Sequence, residues 1–175
     1  RAMEKHDAKN MNFLVVGPWN HGGWGGTGKT LGPIDFGSNT GDYYRQSIQR
    51  PFFACHLRGA TDGCTPAEAT LFRAGENRWV SNTAFPRRDN VTQTPIYTAA
   101  SGALSFTAPK AAAAADSFVS DPANPVPYRR RPIQPTYGPG SQWRAWLTED
   151  QRHVDHRPDV LTWQTGVLDA PVTIS

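Results

Sequence analysis

Hydrophobic and polar positions follow two different patterns along the chain, and the change between them falls near residue 65. In the first part, the apolar run Phe-Leu-Val-Val at residues 13–16 ends at Gly17-Pro18, which is typical of a buried strand that enters a loop. We therefore predict a strand over residues 10–16. The loop that follows presents His21 at the carboxyl end of this strand, where open α/β sheets place their ligands and chemistry.

A long helix is predicted after this loop. Thr40 is a suitable N-cap, Gly59 is a suitable end, and apolar residues recur every four to five positions between them. Pro51 lies inside this span, and because it has no backbone N–H it should kink or split the helix. The sequence therefore predicts a strand–helix unit of the kind that ends an α/β sheet.

From about residue 65 onward, the chain consists of short β-type runs separated by turn residues. Gly75-Glu-Asn77 and Ser101-Gly102 are the turn signals of two hairpins. The predicted strands cover residues 69–73, 78–81, 95–99, 103–107, 118–120, 143–147, 160–165 and 172–174. Short strands at this spacing favour a β-sandwich. The alanine run at residues 111–115 is predicted to be a loop insertion.

Composition narrows the classes of function. The 175 residues include six Trp, five Tyr and eight Phe, which can supply a packed core, and no apolar stretch approaches the roughly 20 residues of a membrane helix. A net charge of +3 with dispersed basic residues does not favour nucleic-acid binding. Cys55 and Cys64 flank a glycine-containing turn, so a local disulfide in an oxidising compartment and two free thiols are both open.

Residues 23–30 (Gly-Trp-Gly-Gly-Thr-Gly-Lys-Thr) match the phosphate-loop pattern G-x-x-x-x-G-K-[ST] letter for letter. Such a loop needs a helix that begins at the Lys-Thr pair, because the helix amino terminus completes the anion site. Here Leu31-Gly-Pro33 follows at once and would end a helix before its first turn closed. A nucleotide-binding protein is therefore the third-ranked interpretation, and no cofactor is predicted.

A second group of polar residues, His153, Asp155 and His156, places imidazole and carboxylate groups close together in the sequence. A zinc site would need a further ligand from elsewhere in the chain. We interpret His153 as a packing residue, and no metal site is predicted.

Several segments resemble, in the same order, a family of serine hydrolases. The matching residues are 12–24 (Asn-Phe-Leu-Val-Val-Gly-Pro-Trp-Asn-His-Gly-Gly-Trp), 31–37, 50–53, 118–128 and 150–161. The family is the group of cocaine esterase, X-prolyl dipeptidyl peptidase and the α-amino acid ester hydrolases, and the resemblance is closest to the α-amino acid ester hydrolase and cephalosporin acylase branch. It implies that His21 is the histidine of a catalytic triad, general base first and general acid afterwards. Trp19 and Trp24 beside it either line an acyl pocket for the substrate or pack the loop, and both interpretations stay open.

The resemblance also implies that these residues are part of a larger enzyme. Hydrolases of the α/β type order their triad as Ser, then Asp or Glu, then His, yet no Gly-x-Ser-x-Gly occurs in the 175 residues. We therefore expect a C-terminal fragment that is inactive by itself. Its fold class would be α/β plus all-β: residues 1–64 form the end of an α/β-hydrolase domain, and residues 65–175 form a partial jelly-roll β-sandwich.

The predicted function is part of a serine acyl hydrolase that cleaves esters or amides, such as α-amino acid esters or β-lactam acyl groups, through an acyl-enzyme. The expected partners are the small-molecule substrate, the remainder of the hydrolase chain and, as an open option, a second copy in a homo-oligomer. Nucleic acid and membrane are not expected, and a periplasmic or secreted location is favoured over a cytoplasmic one. The alternative is a stand-alone β-sandwich module that binds carbohydrate.

Overall fold

The computed structural model describes residues 4–62, 64–87, 90–110, 115–129 and 131–174. The chain divides into two compact units. The first unit comprises Arg1–Asn90 and Gln142–Thr148, and the second comprises Val91–Ser141 and Glu149–Ser175. No helix within these described ranges is long and apolar enough to cross a membrane.

The secondary structure consists of small sheets and few helices. In chain order, the strands of the described residues are β1 (Leu14–Val16), β2 (Thr30–Leu31), β3 (Ile34–Asp35), β4 (Ala69–Arg73), β5 (Arg78–Asn82), β6 (Tyr97–Ala99) and β7 (Ala103–Ser105). The α-helices are α1 (Thr40–Tyr43), α2 (Arg50–Arg58) and α3 (Trp143–Trp146), and a π-helical turn, Tyr44–Gln49, joins α1 to α2.

The first unit is built on a three-stranded sheet in the order β1–β4–β5. β1 runs parallel to β4, with Leu14 opposite Ala69, and β4 runs antiparallel to β5. The β4–β5 hairpin confirms the prediction from its turn residues, since Asn77 adopts the left-handed φ of 50° that asparagine tolerates. One sheet thus contains residues from both sides of position 65, and the domain boundary between residues 64 and 65 stays a prediction.

β1 is shorter than the strand predicted over residues 10–16. The carboxylate of Asp7 accepts hydrogen bonds from the backbone N–H groups of Met11 and Asn12, each at 2.6 Å. These bonds hold the pKa of Asp7 below its usual value, and the bond from Met11 has the largest effect. Amides committed to this turn cannot join the sheet, so strand pairing begins at Leu14.

The helical region confirms the span predicted over residues 40–59. α1, the π-helical turn and α2 follow one another, and α2 ends at Gly59, whose φ of 70° is the left-handed C-cap conformation. Pro51 lies in the first turn of α2 and the π turn directly precedes it, because proline cannot donate to a carbonyl of the preceding turn. The cap differs by one residue: Asn39 precedes the helix and Thr40 is its first residue.

Aromatic side chains form the core of the first unit and join its sheet to its helical region. Phe36 is almost fully buried, and its ring meets that of Phe72 edge to face with 5.5 Å between centroids. Trp79 contacts Phe72 in the same way at 5.4 Å and stacks on Tyr43 at 5.3 Å. Trp19, from the loop after β1, lies 5.8 Å from Trp79. Aromatic pairs contribute about 0.5–1.5 kcal/mol each beyond area burial, so this loop is anchored in the core.

Cys55 and Cys64 form a disulfide bond, which decides between the two alternatives that the sequence left open. The bond joins α2 to the segment that leads into β4, with the two Cα atoms 5.2 Å apart. It restricts the unfolded chain and thereby favours the folded state of this region.

The second unit contains the β6–β7 hairpin predicted from its turn residues. Ser101 and Gly102 adopt left-handed φ values of 61° and 68°, which suit a tight hairpin turn. Gln164 extends the pairing on the other side of β7. The backbone N–H of Leu104 donates to the carbonyl of Gln164 at 2.8 Å, and the N–H of Gln164 donates to the carbonyl of Gly102 at 2.9 Å.

The later strands predicted in this unit are mostly absent from the described residues. Residues 118–120 and 172–174 are not strands, and residues 160–165 keep only the bridge at Gln164. Pro122 follows the first missing strand after Asp121, and Pro171 directly precedes the second; proline lacks the N–H that a sheet ladder needs. The β-sandwich inferred from these runs remains a prediction.

The strand predicted over residues 143–147 is wrong, because these residues begin with helix α3. Trp143 and Trp146 are three positions apart, so a helix places their rings on one face, with 6.0 Å between centroids. Alternating and helical spacing cannot be told apart in so short a run. Of the loop predicted at residues 111–115, residues 111–114 lie outside those that the structure describes.

An arginine–carboxylate pair in the second unit predicts sensitivity to acid. Arg157 donates from Nε and Nη2 to the two carboxylate oxygens of Asp159, each at 2.8 Å, and Nη2 also donates to the carbonyl of Asn124. These bonds from Arg157 hold the pKa of Asp159 below its usual value. The stabilisation is therefore complete above the unfolded-state pKa, about 4, and is lost as pH falls through the lower folded-state pKa.

We expect the thermal midpoint of the chain to decline below about pH 4, and Asp159→Asn to flatten that decline. The measurement is a series of melting curves between about pH 2 and pH 6. Asp169→Asn removes an exposed carboxylate of the same unit and should keep the wild-type profile. Parallel profiles for the wild type and Asp159→Asn would show that this pair does not set the acid sensitivity.

Candidate active site

His21 stands on a tight turn five residues beyond the end of β1. Gly22 takes a left-handed φ of 77°, and Gly23 begins a short 3₁₀ turn. The N–H of Gly23 donates to the carbonyl of Asn20 at 2.9 Å, which closes the chain around the histidine. The side chain is exposed, and its imidazole meets the ring of Trp24 edge to face with 5.9 Å between centroids. The turn therefore presents an accessible imidazole beyond a strand that pairs in parallel.

The structure brings the three predicted site residues together around one cavity of about 410 Å³. His21, Trp19 and Trp24 line it together with Asn20, Tyr44 and the end of β1. The two tryptophan rings lie 6.4 Å apart, and Trp19 also packs against Tyr44 at 5.3 Å. Trp19 thus contacts both the core and the cavity, whereas Trp24 borders the cavity beside the histidine. An imidazole that lines a cavity together with aromatic side chains is a suitable place for proton transfer to or from a bound small molecule.

A buried threonine fixes the orientation of Trp19. The indole Nε1–H of Trp19 donates to Oγ1 of Thr40 at 2.7 Å, and the Thr40 hydroxyl donates to the carbonyl of Gly28 at 2.6 Å. Gly28 has a left-handed φ of 61°, and a Cβ there would lie only 2.5 Å from the indole nitrogen. Only glycine suits this close approach, so the helix start and the glycine-rich loop lock together.

Two further residues of the helical region bind the same loop through its carbonyl groups. The N–H of Gly41 donates to the carbonyl of Thr27 at 2.8 Å. Nη1 of Arg45 donates to the carbonyls of Trp24 and Gly26, the latter at 2.6 Å, and its Nη2 pairs with Asp42. Sequence reasoning missed these contacts of Gly41 and Arg45 with the loop. The signal for it is the loop itself: five glycines in residues 22–28 offer carbonyls but no side chains to satisfy them.

The geometry of a phosphate loop is not formed at residues 23–30. Thr30 begins strand β2, which turns at Gly32 and pairs with β3, so the prediction that no helix begins at the Lys-Thr pair is confirmed. The ammonium group of Lys29 lies 3.9 Å from the carboxylate of Asp35. The nucleotide interpretation therefore lacks the helix amino terminus on which it depends.

The polar side chains of residues 153–156 contact residues close to them in the sequence. Nδ1 of His153 lies 3.2 Å from the carbonyl of Asp150, and the carboxylate of Asp155 pairs with His156 at 3.4 Å. The Thr162 hydroxyl donates to Asp155 and, with the N–H of His156, holds the pKa of that carboxyl below its usual value. Among the described residues, no three His, Cys, Asp or Glu side chains are grouped as a metal site would need.

Comparisons with known proteins agree with the resemblance seen in the sequence. No family model matches the chain. It is 30% identical over 171 residues to cocaine esterase of Rhodococcus sp. (strain MB1 Bresler), covering 93% of this chain and 28% of that protein. Among solved structures, an aminopeptidase from the marine sediment archaeon Thaumarchaeota archaeon is 36% identical with a TM-score of 0.82, covering 92% of this chain and 26% of that one. An α-amino acid ester hydrolase labelled with selenomethionine is 39% identical with a TM-score of 0.77, covering 94% and 28%.

These comparisons show that the chain is homologous to hydrolases. In particular, it is a homologue of cocaine esterase, of the aminopeptidase and of the α-amino acid ester hydrolase, and this confirms the predicted resemblance. The chain spans only about a quarter of the length of each of these relatives.

Proposed function

We propose that this chain is the histidine-bearing part of a serine acyl hydrolase that cleaves esters or amides. The observation that carries the proposal is the position of His21. It follows a parallel strand, is exposed, and lies with Trp19 and Trp24 on one cavity. The identities of the relatives as hydrolases support the same class of reaction.

In the proposed mechanism, His21 transfers protons in both halves of the reaction. Its imidazole accepts the proton of a serine hydroxyl as the serine oxygen attacks the acyl carbonyl, and the imidazolium then protonates the leaving alcohol or amine. In the second half, water gives a proton to His21 as the water oxygen attacks the acyl-enzyme carbonyl, and the imidazolium returns that proton to the leaving serine oxygen. Trp19 and Trp24 would contact the acyl group, and α-amino acid esters and β-lactam acyl groups are the proposed substrates.

The serine and the orienting carboxylate are proposed to lie outside these 175 residues, which contain no Gly-x-Ser-x-Gly. The surface of the first unit supports a large partner. β1 lies at the edge of its sheet, and Leu14 and Val16 are 36% and 46% exposed. Beside it runs a groove of about 1210 Å³ whose lining includes Phe13, Ile48 and Phe52. An exposed strand edge and apolar surface are unfavourable in contact with water. We propose that the remainder of the hydrolase covers them.

The finer details of the fold belong to the same proposal. Residues 65–175 would contribute to a jelly roll, and the β6–β7 hairpin with its bridge to Gln164 would be part of its pairing. The disulfide between Cys55 and Cys64 supports a periplasmic or secreted location, because such bonds persist in oxidising compartments.

A hybrid enzyme tests the proposal. The matching quarter of the α-amino acid ester hydrolase would be replaced by this chain, and the product treated with a fluorophosphonate probe that labels activated serines. We expect labelling and ester hydrolysis by the hybrid and neither by the chain alone. A folded hybrid that takes no label would contradict the proposed role, and glycan binding by the chain alone would then favour the carbohydrate-binding module.

A further inference from the structure

We propose that Arg45 is a positioning residue for His21, in that it holds the turn that carries the histidine by its main-chain carbonyls. The inference rests on the proposed function, in which His21 transfers protons. The side chain of Arg45 does not line the cavity, and its hydrogen bonds reach the main-chain carbonyls of Trp24 and Gly26 rather than the imidazole. Its effect passes through the backbone of Trp24, whose ring contacts His21.

The contacts of Arg45 suit a clamp between the helix and the turn. Nη1 donates to the carbonyls of Trp24 and Gly26, and Nη2 is held by the carboxylate of Asp42 one helical turn away. A guanidinium is planar and carries five N–H donors, so it can bind both carbonyls and the carboxylate at once. An ammonium group is a compact charge on a flexible stem and cannot reproduce this geometry.

Hydrogen bonds within the turn, such as that from the N–H of Gly23 to the carbonyl of Asn20, hold its main chain but do not fix the direction of the imidazole. In the described part of the chain, the ring of His21 makes its one aromatic contact with Trp24, and the neighbouring residues Gly22, Gly23, Gly25 and Gly26 add no side chains. A displacement of Trp24 would therefore remove the ring contact that orients the imidazole. Misplacing a catalytic group by about 1 Å can reduce the rate of reaction by about 100-fold.

If Arg45 had a purely structural role, its loss would unfold the first unit, and the positioning role predicts that the unit stays folded. The side chains of Arg45 and Asp42 are 33% and 32% exposed, so water can satisfy the carbonyls if the clamp is removed. The aromatic core does not depend on these groups. Loss of the clamp should consequently displace the turn while the first unit stays folded.

The first test uses the chain itself. Arg45→Met keeps most of the side-chain stem and removes every donor, and we expect NMR to show loss of the ring-to-ring NOEs between His21 and Trp24 with the thermal midpoint shifted by only a few degrees. Arg45→Lys should retain part of these NOEs. Arg50→Met, at an exposed arginine of α2, is the matched control and should leave them unchanged. Guanidinium added at non-denaturing concentration should restore the contact in Arg45→Met.

The second test uses the hybrid hydrolase, so that failure of this inference and failure of the proposed function are distinguishable. Arg45→Met should lower kcat by about 100-fold with little change in KM, and guanidinium should restore part of it. Unchanged NOEs in Arg45→Met, or unfolding of both Arg45→Met and Arg45→Lys, would overturn the inference. An inactive hybrid with the wild-type loop, together with lost NOEs in Arg45→Met, would reject the function and leave the positioning role intact.

Discussion

Replacing His21 by glutamine is expected to lower kcat for ester hydrolysis by about 10⁴-fold or more in the hybrid hydrolase. Glutamine has a similar size and polarity but cannot accept the proton of a serine hydroxyl at neutral pH. The loop should keep its shape, because its main-chain carbonyls are bound by Thr40, Gly41 and Arg45 rather than by the imidazole. Steady-state kinetics on an ester substrate and the rate of fluorophosphonate labelling measure the effect.

The control is His6→Gln, which changes an exposed histidine in a short turn near the start of the described residues. It should retain the wild-type rate. If His21→Gln hydrolyses the ester as fast as the wild type, the general base lies elsewhere and the loop is a packing element. If both variants lose activity equally, the effect does not come from the chemistry of His21.

The elements that sequence reasoning predicted well are those defined by neighbouring residues. The β6–β7 turn needs left-handed residues, and Ser101-Gly102 supplies them. In the helical region, Gly59 predicts the end of the helix and Pro51 predicts its irregularity. The candidate site could be predicted for the same reason, since His21 and both tryptophans lie within one loop.

The parts that sequence reasoning missed depend on contacts between distant residues. Thr40 and Arg45 act on main-chain carbonyls twelve to twenty-one positions earlier, and any residue type can offer a carbonyl, so no pattern marks the contact. The run at 143–147 has apolar positions that suit either a strand or a helix, and packing decides between them. The prediction of strands after residue 110 was mostly wrong, because alternation says nothing about whether a partner strand is available.

The phosphate-loop pattern shows how one sequence can satisfy a motif for another reason. Its glycines have a packing role here: Gly28 admits Trp19 and Thr40, and Gly26 lies against the first turn of α1. Small residues are required wherever two backbones approach closely, whether or not a phosphate lies between them. The motif therefore marks the close approach and does not by itself identify a ligand.

This close approach predicts that Gly41→Ala will be strongly destabilising. Alanine is normally better than glycine in a helix by about 1 kcal/mol. Here, however, its Cβ would lie 2.3 Å from the carbonyl oxygen of Gly26 and 3.2 Å from the carbonyl of Thr27. Both contacts are backbone, and the N–H of Gly41 is itself bonded to Thr27, so neither side can yield without breaking the lock. We expect a loss of about 3 kcal/mol in the free energy of unfolding, the upper end for overpacking.

Gly25→Ala supplies the matched control, because a Cβ at Gly25 meets no atom within 4 Å. It should change the free energy of unfolding by less than about 0.5 kcal/mol. Urea unfolding followed by tryptophan fluorescence measures both variants, since Trp19 and Trp79 lie in the core of the first unit. Gly41→Ala should also weaken the contact between His21 and Trp24, because the helix start can no longer hold the carbonyls of the loop. Equal stability of the two variants would mean that the loop can move away from α1 at no cost, and the lock between them would then be too weak to place the histidine.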